Sequence, residues 1–120
     1  MADITLFRNS SDYIEYAPGQ VIFYEGDAGD RMYAVIEGTV DIVKGGKVID
    51  SAGPDTIFGE MALIDQSPRS ASAIAQTACK IVPVDQKRFT FMVQQTPFFS
   101  LQVMRVMADR LRHRMSEHNA

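Results

Sequence analysis

The chain has 120 residues, of which 46% are hydrophobic and 22% charged, the profile of one soluble globular domain with its own core. A net charge of −3 argues against a surface built to grip nucleic acid throughout, although the last twenty residues hold four arginines against two carboxylates. A single cysteine, Cys79, excludes an intrachain disulfide and fits a reducing compartment; no apolar run of about 18 residues is present to span a membrane. The start, MADITLFRNSSDY, has no basic region followed by an apolar block, so the expected location is cytoplasmic.

Residues 1–16 read as a lead-in with one helical turn around Ile4 to Phe7. Pro18-Gly19 marks a turn before an apolar strand, Val21 to Tyr24. Glu25-Gly26-Asp27 and Gly29-Asp30 form a tight polar connection to a second strand, Met32 to Ile36. Thr39 to Lys44 alternates at period two, the mark of a half-buried strand. Gly45-Gly46 then predicts a two-residue hairpin into Lys47 to Ile49, because a primed turn needs positive φ at both central positions. Gly53-Pro54 punctuates again, and Ser70 to Ala75 and Lys80 to Val84 make two more strands. Short strands at regular spacing between glycine-rich turns indicate a β-roll or barrel, not alternating βαβ units. The glycines at 26, 29, 38, 45 and 53 read as turns of that roll, and Asp27 and Asp30 as turn caps.

The pattern changes at Asp85, which can cap a helix carrying Phe89, Met92 and Val93 on its apolar face. Thr96-Pro97 is a second helix start. Beyond it Phe98, Leu101, Met104, Ala108, Leu111 and Met115 recur at helical spacing. That stripe suits a homodimer contact and suits packing on the chain's own roll equally well. His113 and His118 lie in the basic tail and read as solvated side chains. The expected organisation is one domain over 1–120, with the roll at about 16–84 and helices at about 85–117.

One stretch carries chemistry: Phe58 to Ala73, FGEMALIDQSPRSASA. Phe58, Gly59, Glu60, Met61 and Ala62 open a short apolar helix, and Arg69 and Ser70 follow a polar loop. Amides at a helix start, a cation and an acceptor within about a dozen residues form a cradle for a sugar phosphate. Taken singly, each residue also has a structural reading. Gly59 can be a turn glycine, Glu60 can complement the helix start, and Arg69 can pair with Glu60 or Asp65.

The string from Pro18-Gly19 through EGDAGDRMYAVIEGTVDIV, followed by FGEMALIDQSPRSASA, closely resembles the cyclic nucleotide-binding domain family. That family includes the bacterial catabolite activators, kinase regulatory subunits and cyclic-nucleotide-gated channels. The resemblance runs from about Tyr16 to about Leu111. It implies an eight-stranded antiparallel β-roll (a double-stranded, jelly-roll-like β-helix) with a short phosphate-binding helix between two strands. It also implies a C-terminal helix able to act as lid or dimer contact. The family's phosphate cassette maps onto Phe58 to Ala71, and the implied ligand is cAMP or cGMP.

In that setting Arg69 would offer a planar fork of donors to the cyclic phosphate, together with the amides of Glu60, Met61 and Ala62. Gly59 would let the backbone approach, and Glu60 would accept the ribose 2′-hydroxyl proton. Ser70 would reach a phosphate oxygen or the base edge, and Pro68 would fix the entry to Arg69. A degenerate roll that binds nothing is the bland alternative. Loss of Glu60 or Arg69 would mark it, and both are present.

The expectation is therefore a non-catalytic sensor that binds a cyclic nucleotide, cAMP ahead of cGMP, and is read out by a protein partner through its C-terminal helix. A catabolite-activator-type regulator carries a helix-turn-helix after the long helix. This chain ends at Ala120 with no such element, so DNA binding by the chain alone is not expected. A metal-dependent β-barrel oxygenase would need histidines inside the roll, but both lie beyond residue 112.

Overall fold

The computed structural model describes residues 4–118, the side chains of 114 and 116–118 excepted. Eight strands come first: β1 Ile14–Tyr16, β2 Val21–Phe23, β3 Arg31–Glu37, β4 Val40–Lys44, β5 Lys47–Ala52, β6 Ile57–Phe58, β7 Ser72–Ala75 and β8 Cys79–Asp85. The helix α1, Glu60–Asp65, lies between β6 and β7, and α2, Gln86–Gln95, and α3, Phe98–His118, end the chain. The strands pair antiparallel into two four-stranded sheets, β1-β8-β3-β6 and β2-β7-β4-β5. Mainly β with flanking helices, an antiparallel roll, is the fold expected from the sequence.

The first sheet is covered on both faces, and its side chains alternate between two cores. Met32 and Ala34 of β3, Ile57 of β6 and Val82 and Val84 of β8 join Phe99, Val103 and Val106 of α3. Their neighbours Val35, Phe58, Cys79 and Ile81 face the second sheet and meet Val40, Ala52, Ala73 and Ala75. Period-two alternation thus delivers apolar residues to both faces, which is why these strands read as nearly continuous hydrophobic runs. The two core alanines of β7 are fully buried.

Gly45 and Gly46 both have positive φ, 58° and 76°, as the β4–β5 hairpin requires. Asp85 caps α2, its carboxylate accepting from the Arg88 N–H at 2.8 Å. α3 starts at Phe98, just after Thr96-Pro97, and Thr96 also closes α2 by donating its N–H to Met92 O. The strands β1 and β6 were not anticipated: the first lies inside the expected lead-in, and the second is two residues long. Both are sheet-edge strands, recognised by their pairing and not by any pattern of their own. The lead-in makes a turn over 6–9, and Ile4 and Phe7 enter the core beneath α3.

The helical stripe foreseen on α3 is the outward one. Leu101, Met104, Leu111 and Met115 are all exposed, while Phe99, Val103 and Val106 pack on the roll. Among the described residues no helix is long and apolar enough to cross a membrane.

Candidate functional site

Arg69 is the centre of the site. Its backbone is fastened to the β2–β3 loop, with the Arg69 N–H donating to Asp27 O at 2.9 Å and the Gly26 N–H donating to Arg69 O at 2.8 Å. The loop is braced in turn: the Asp27 carboxylate accepts from the Tyr24 N–H, and the Ser72 hydroxyl accepts from the Glu25 N–H. These bonds direct the side chain inward, where it is 6% exposed. Nη1 donates to Gly59 O at 2.9 Å and Nη2 to Arg31 O at 2.7 Å. The guanidinium carbon lies 4.1 Å from the centroid of the Phe23 ring.

No carboxylate forms an ion pair with Arg69 among the described residues. The two acids that the sequence offered as partners, Glu60 and Asp65, are engaged elsewhere. Glu60 pairs with Arg110, and Asp65 accepts from the backbone and hydroxyl of Ser67. Nε of Arg69 is buried and without a partner. Burial disfavours the charged form and pulls the guanidinium pKa below its ordinary value. A guanidinium carries five N–H donors, so two carbonyl bonds leave it under-satisfied. A buried cation held, among the described residues, by carbonyl oxygens and the Phe23 and Tyr33 rings is the arrangement expected where an anion supplies the missing partner.

Two glycines make room for this side chain. Gly59 has φ +74°, and a Cβ there would stand 2.7 Å from Arg69 Nη1. Gly59 is also the N-cap of α1, with no side chain capping the first turn. Gly29, expected to be a turn glycine, is a close-packing position instead. Its φ is not positive, and a Cβ would collide with the Ala62 side chain and stand 3.0 Å from Arg69 Nε. Gly29 therefore permits α1 and Arg69 to sit against the β2–β3 loop. Nothing in the linear spacing distinguishes it from the turn glycine Gly26.

A cavity of about 220 Å³ opens beside these groups. All seven sequence-predicted residues, Phe58, Gly59, Glu60, Met61, Ala62, Arg69 and Ser70, line it. Phe58 is buried under the floor and stacks on Tyr33, centroids 5.2 Å apart. Met61, Pro68 and Ser70 are exposed around the mouth. Glu60 is 4% exposed, at the start of α1.

Sequence reasoning missed the far wall. Arg110 and His113 of α3 and Asp50 of β5 also line the cavity. Arg110 donates from Nη1 to Glu60 Oε1 and from Nη2 to Ile57 O, and its Nε lies 3.7 Å from Asp50 Oδ2. A signal was available. Arg110 falls four residues after Val106 and seven after Val103, so it is a cation on the roll-facing side of α3. His113, read as a solvated tail residue, is exposed but stands at the cavity; the side chain of His118 lies outside the described residues.

Fold and pocket together define a β-roll small-ligand domain whose pocket presents a buried, unpaired cation beside a buried carboxylate. Residues 13–96 match the family model described as "Cyclic nucleotide-binding domain". The chain belongs to the cyclic nucleotide-binding domain family.

It is 33% identical over 104 residues to a CRP-like cAMP-activated global transcriptional regulator of Mycobacterium tuberculosis, covering 82% of this chain and 46% of that one. It is 39% identical over 85 residues to a cAMP-dependent protein kinase regulatory subunit of Eremothecium gossypii, covering 71% of this chain and 19% of that one. The crystal structure of the Thermus thermophilus catabolite activator protein superposes with a TM-score of 0.79 at 28% identity, covering 95% of this chain and 61% of that one. The chain thus spans about half the length of the mycobacterial relative, or less of the kinase subunit.

Proposed function

We propose that this domain binds a cyclic nucleotide, cAMP in preference to cGMP, and acts as a non-catalytic sensor whose output is carried by α3. The observation that carries the reading is Arg69, a buried cation that lines the cavity, has no ion-pair partner among the described residues and holds an Nε without a hydrogen-bond partner. A cyclic phosphodiester is a permanent monoanion and would complete its bonding. Glu60, next in the chain to the Gly59 whose carbonyl Arg69 holds, is placed to accept a ribose hydroxyl. Preference for cAMP is supported by the similarity to a cAMP-activated mycobacterial regulator and a cAMP-dependent kinase regulatory subunit. The non-catalytic reading is supported by Cys79, which is buried with Sγ within hydrogen-bonding reach of the Thr39 and Thr77 carbonyls. The outward stripe of α3 would be the surface read by a second copy or another protein.

Isothermal calorimetry with cAMP and cGMP tests the reading. The expected result is saturable binding of both at micromolar concentration or below, tighter for cAMP. No heat and no competition for a fluorescent cyclic nucleotide would overturn it.

A further inference from the structure

Arg69 has to be held before any anion arrives. A long, rotamer-rich cation at 6% exposure gains by swinging out to water, where its charge is solvated. Two carbonyl bonds, to Gly59 O and Arg31 O, restrain its tips. A carboxylate would hold it more strongly, but a carboxylate in that place would repel an incoming phosphate or have to be displaced by it. The fold places a ring there instead.

Phe23 is the last residue of β2 and lines the cavity. The guanidinium carbon of Arg69 lies over its ring, 4.1 Å from the centroid and inside the distance of about 6 Å at which a cation feels a ring's negative face. Tyr33 stands at 5.7 Å, at the limit of that range. The Phe23 ring is itself fixed, its centroid 5.8 Å from that of Tyr33 and 6.0 Å from that of Phe58. Its backbone runs straight into the β2–β3 loop, where Asp27 O accepts from the Arg69 N–H. One short segment, 23–27, therefore grips Arg69 at its backbone and at its charged end. A ring face carries partial negative charge but no net charge, so it draws the cation inward without repelling a phosphate.

We propose that Phe23 is a positioning residue for the anion site, its ring holding the Arg69 guanidinium in the pocket in place of a counter-ion until a ligand binds. This rests on the cyclic-nucleotide reading for what the pocket takes, but not for how Arg69 is held. Affinity for the anion scales with the fraction of molecules in which Arg69 is already seated. A cation–ring contact away from water is worth a factor of about 30, so its removal lowers affinity by up to that factor. Because the ring acts on the phosphate's partner, the loss is the same whichever base the ligand carries.

The test uses the whole chain with mono-, di- or trifluorophenylalanine in place of Phe23, and with Phe23→Leu, each titrated with cAMP and cGMP. Ring fluorination keeps the shape of the side chain and drains the negative face stepwise. The expected result is an affinity that falls with each fluorine and reaches about 5–30-fold below wild type in Phe23→Leu. The factor is the same for both nucleotides. In the nucleotide-free protein, proton–nitrogen NMR gives a second readout: the Arg69 Nε–Hε resonance, shifted upfield by the ring, moves towards its random-coil position along the same series. Should Phe23→Leu not fold, the fluorinated chains carry the test alone. Affinities and a resonance that stay flat across them overturn the proposal, leaving Phe23 as core filling and nucleotide binding intact. A loss that differs between the two nucleotides by more than about threefold also overturns it, since the ring would then touch the base. If the wild type binds neither nucleotide, the reading of the pocket falls, and the resonance series still decides whether the ring holds Arg69.

Discussion

Replacing Arg69 by methionine separates what this residue does for binding from what it does for folding. On the folding side, the substitution removes bonds to Gly59 O and Arg31 O and the contact with Phe23. Hydrogen bonds from a charged donor are worth about 1.5–3 kcal/mol each. Against that loss, the variant no longer buries a cation without a carboxylate, a penalty of several kcal/mol. The opposing contributions are of similar size, so the free energy of unfolding should change by less than about 2 kcal/mol in either direction.

On the binding side nothing compensates. Loss of a two-pronged charge-assisted contact of about 3–6 kcal/mol predicts an affinity about 10²–10⁴-fold lower. Urea denaturation without nucleotide gives the first quantity and calorimetry the second. The nucleotide-induced rise in Tm should vanish together with the affinity. A folded Arg69→Met variant that binds within about fivefold of wild type would refute the reasoning and move the anion site elsewhere. A loss of stability well beyond 2 kcal/mol would show that Arg69 is principally a structural strut.

Gly29→Ala should destabilise the domain by about 1–3 kcal/mol, the cost of overpacking a filled site. Because the added methyl collides with Ala62 and crowds Arg69 Nε, nucleotide affinity should fall with stability, whereas Gly26→Ala, facing open space, should lose stability through its φ of +89° and leave the pocket contacts intact. Denaturant midpoints and titrations of the two variants decide this, and equal affinity losses would count against it. The lead-in should loosen in acid. The Arg8 guanidinium, bonding both oxygens of Asp55 at 3.0 and 2.7 Å, holds that carboxyl below its ordinary range. A depressed carboxyl pKa contributes stability that is complete above the unfolded-state value and is lost as pH falls through the folded-state value. Hydrogen exchange at the Ile4 amide, which donates to Asp55 O, should accelerate relative to the core below the ordinary carboxylate range. In Asp55→Asn that additional acid dependence should be smaller, and an identical profile would refute it.

Local physics made much of this protein legible from its residues. The Gly45-Gly46 hairpin follows from backbone sterics and the Asp85 cap from a side-chain hydrogen bond, each of which depends on a few adjacent residues. The roll followed from turn spacing and strand patterns, because a half-buried strand alternates every second residue and a strand covered on both faces reads as a short continuous apolar run. Phe58 to Ala62, Arg69 and Ser70 were found together because one continuous segment supplies them, and the structure gathers all seven at one cavity. Edge strands β1 and β6 were invisible for the opposite reason. Three and two residues carry no period, and only their hydrogen-bonded neighbours make them strands.

What tertiary structure decided was partnership. The sequence left Arg69 free to pair with Glu60 or Asp65, and only the fold shows Glu60 taken by Arg110 and Asp65 by Ser67. It is that displacement which leaves Arg69 buried without a counter-ion among the described residues. The two sides of α3 were likewise ambiguous, since apolar residues occur on both; the packing of Phe99, Val103 and Val106 turns Leu101, Met104, Leu111 and Met115 outward and Arg110 in. The residues of the phosphate cassette are neighbours in the chain, and their chemistry could be read from their order. Glu60 and Arg110 are separated by 50 positions, and charge pairing over that distance is set by the path of the backbone, which no local pattern encodes.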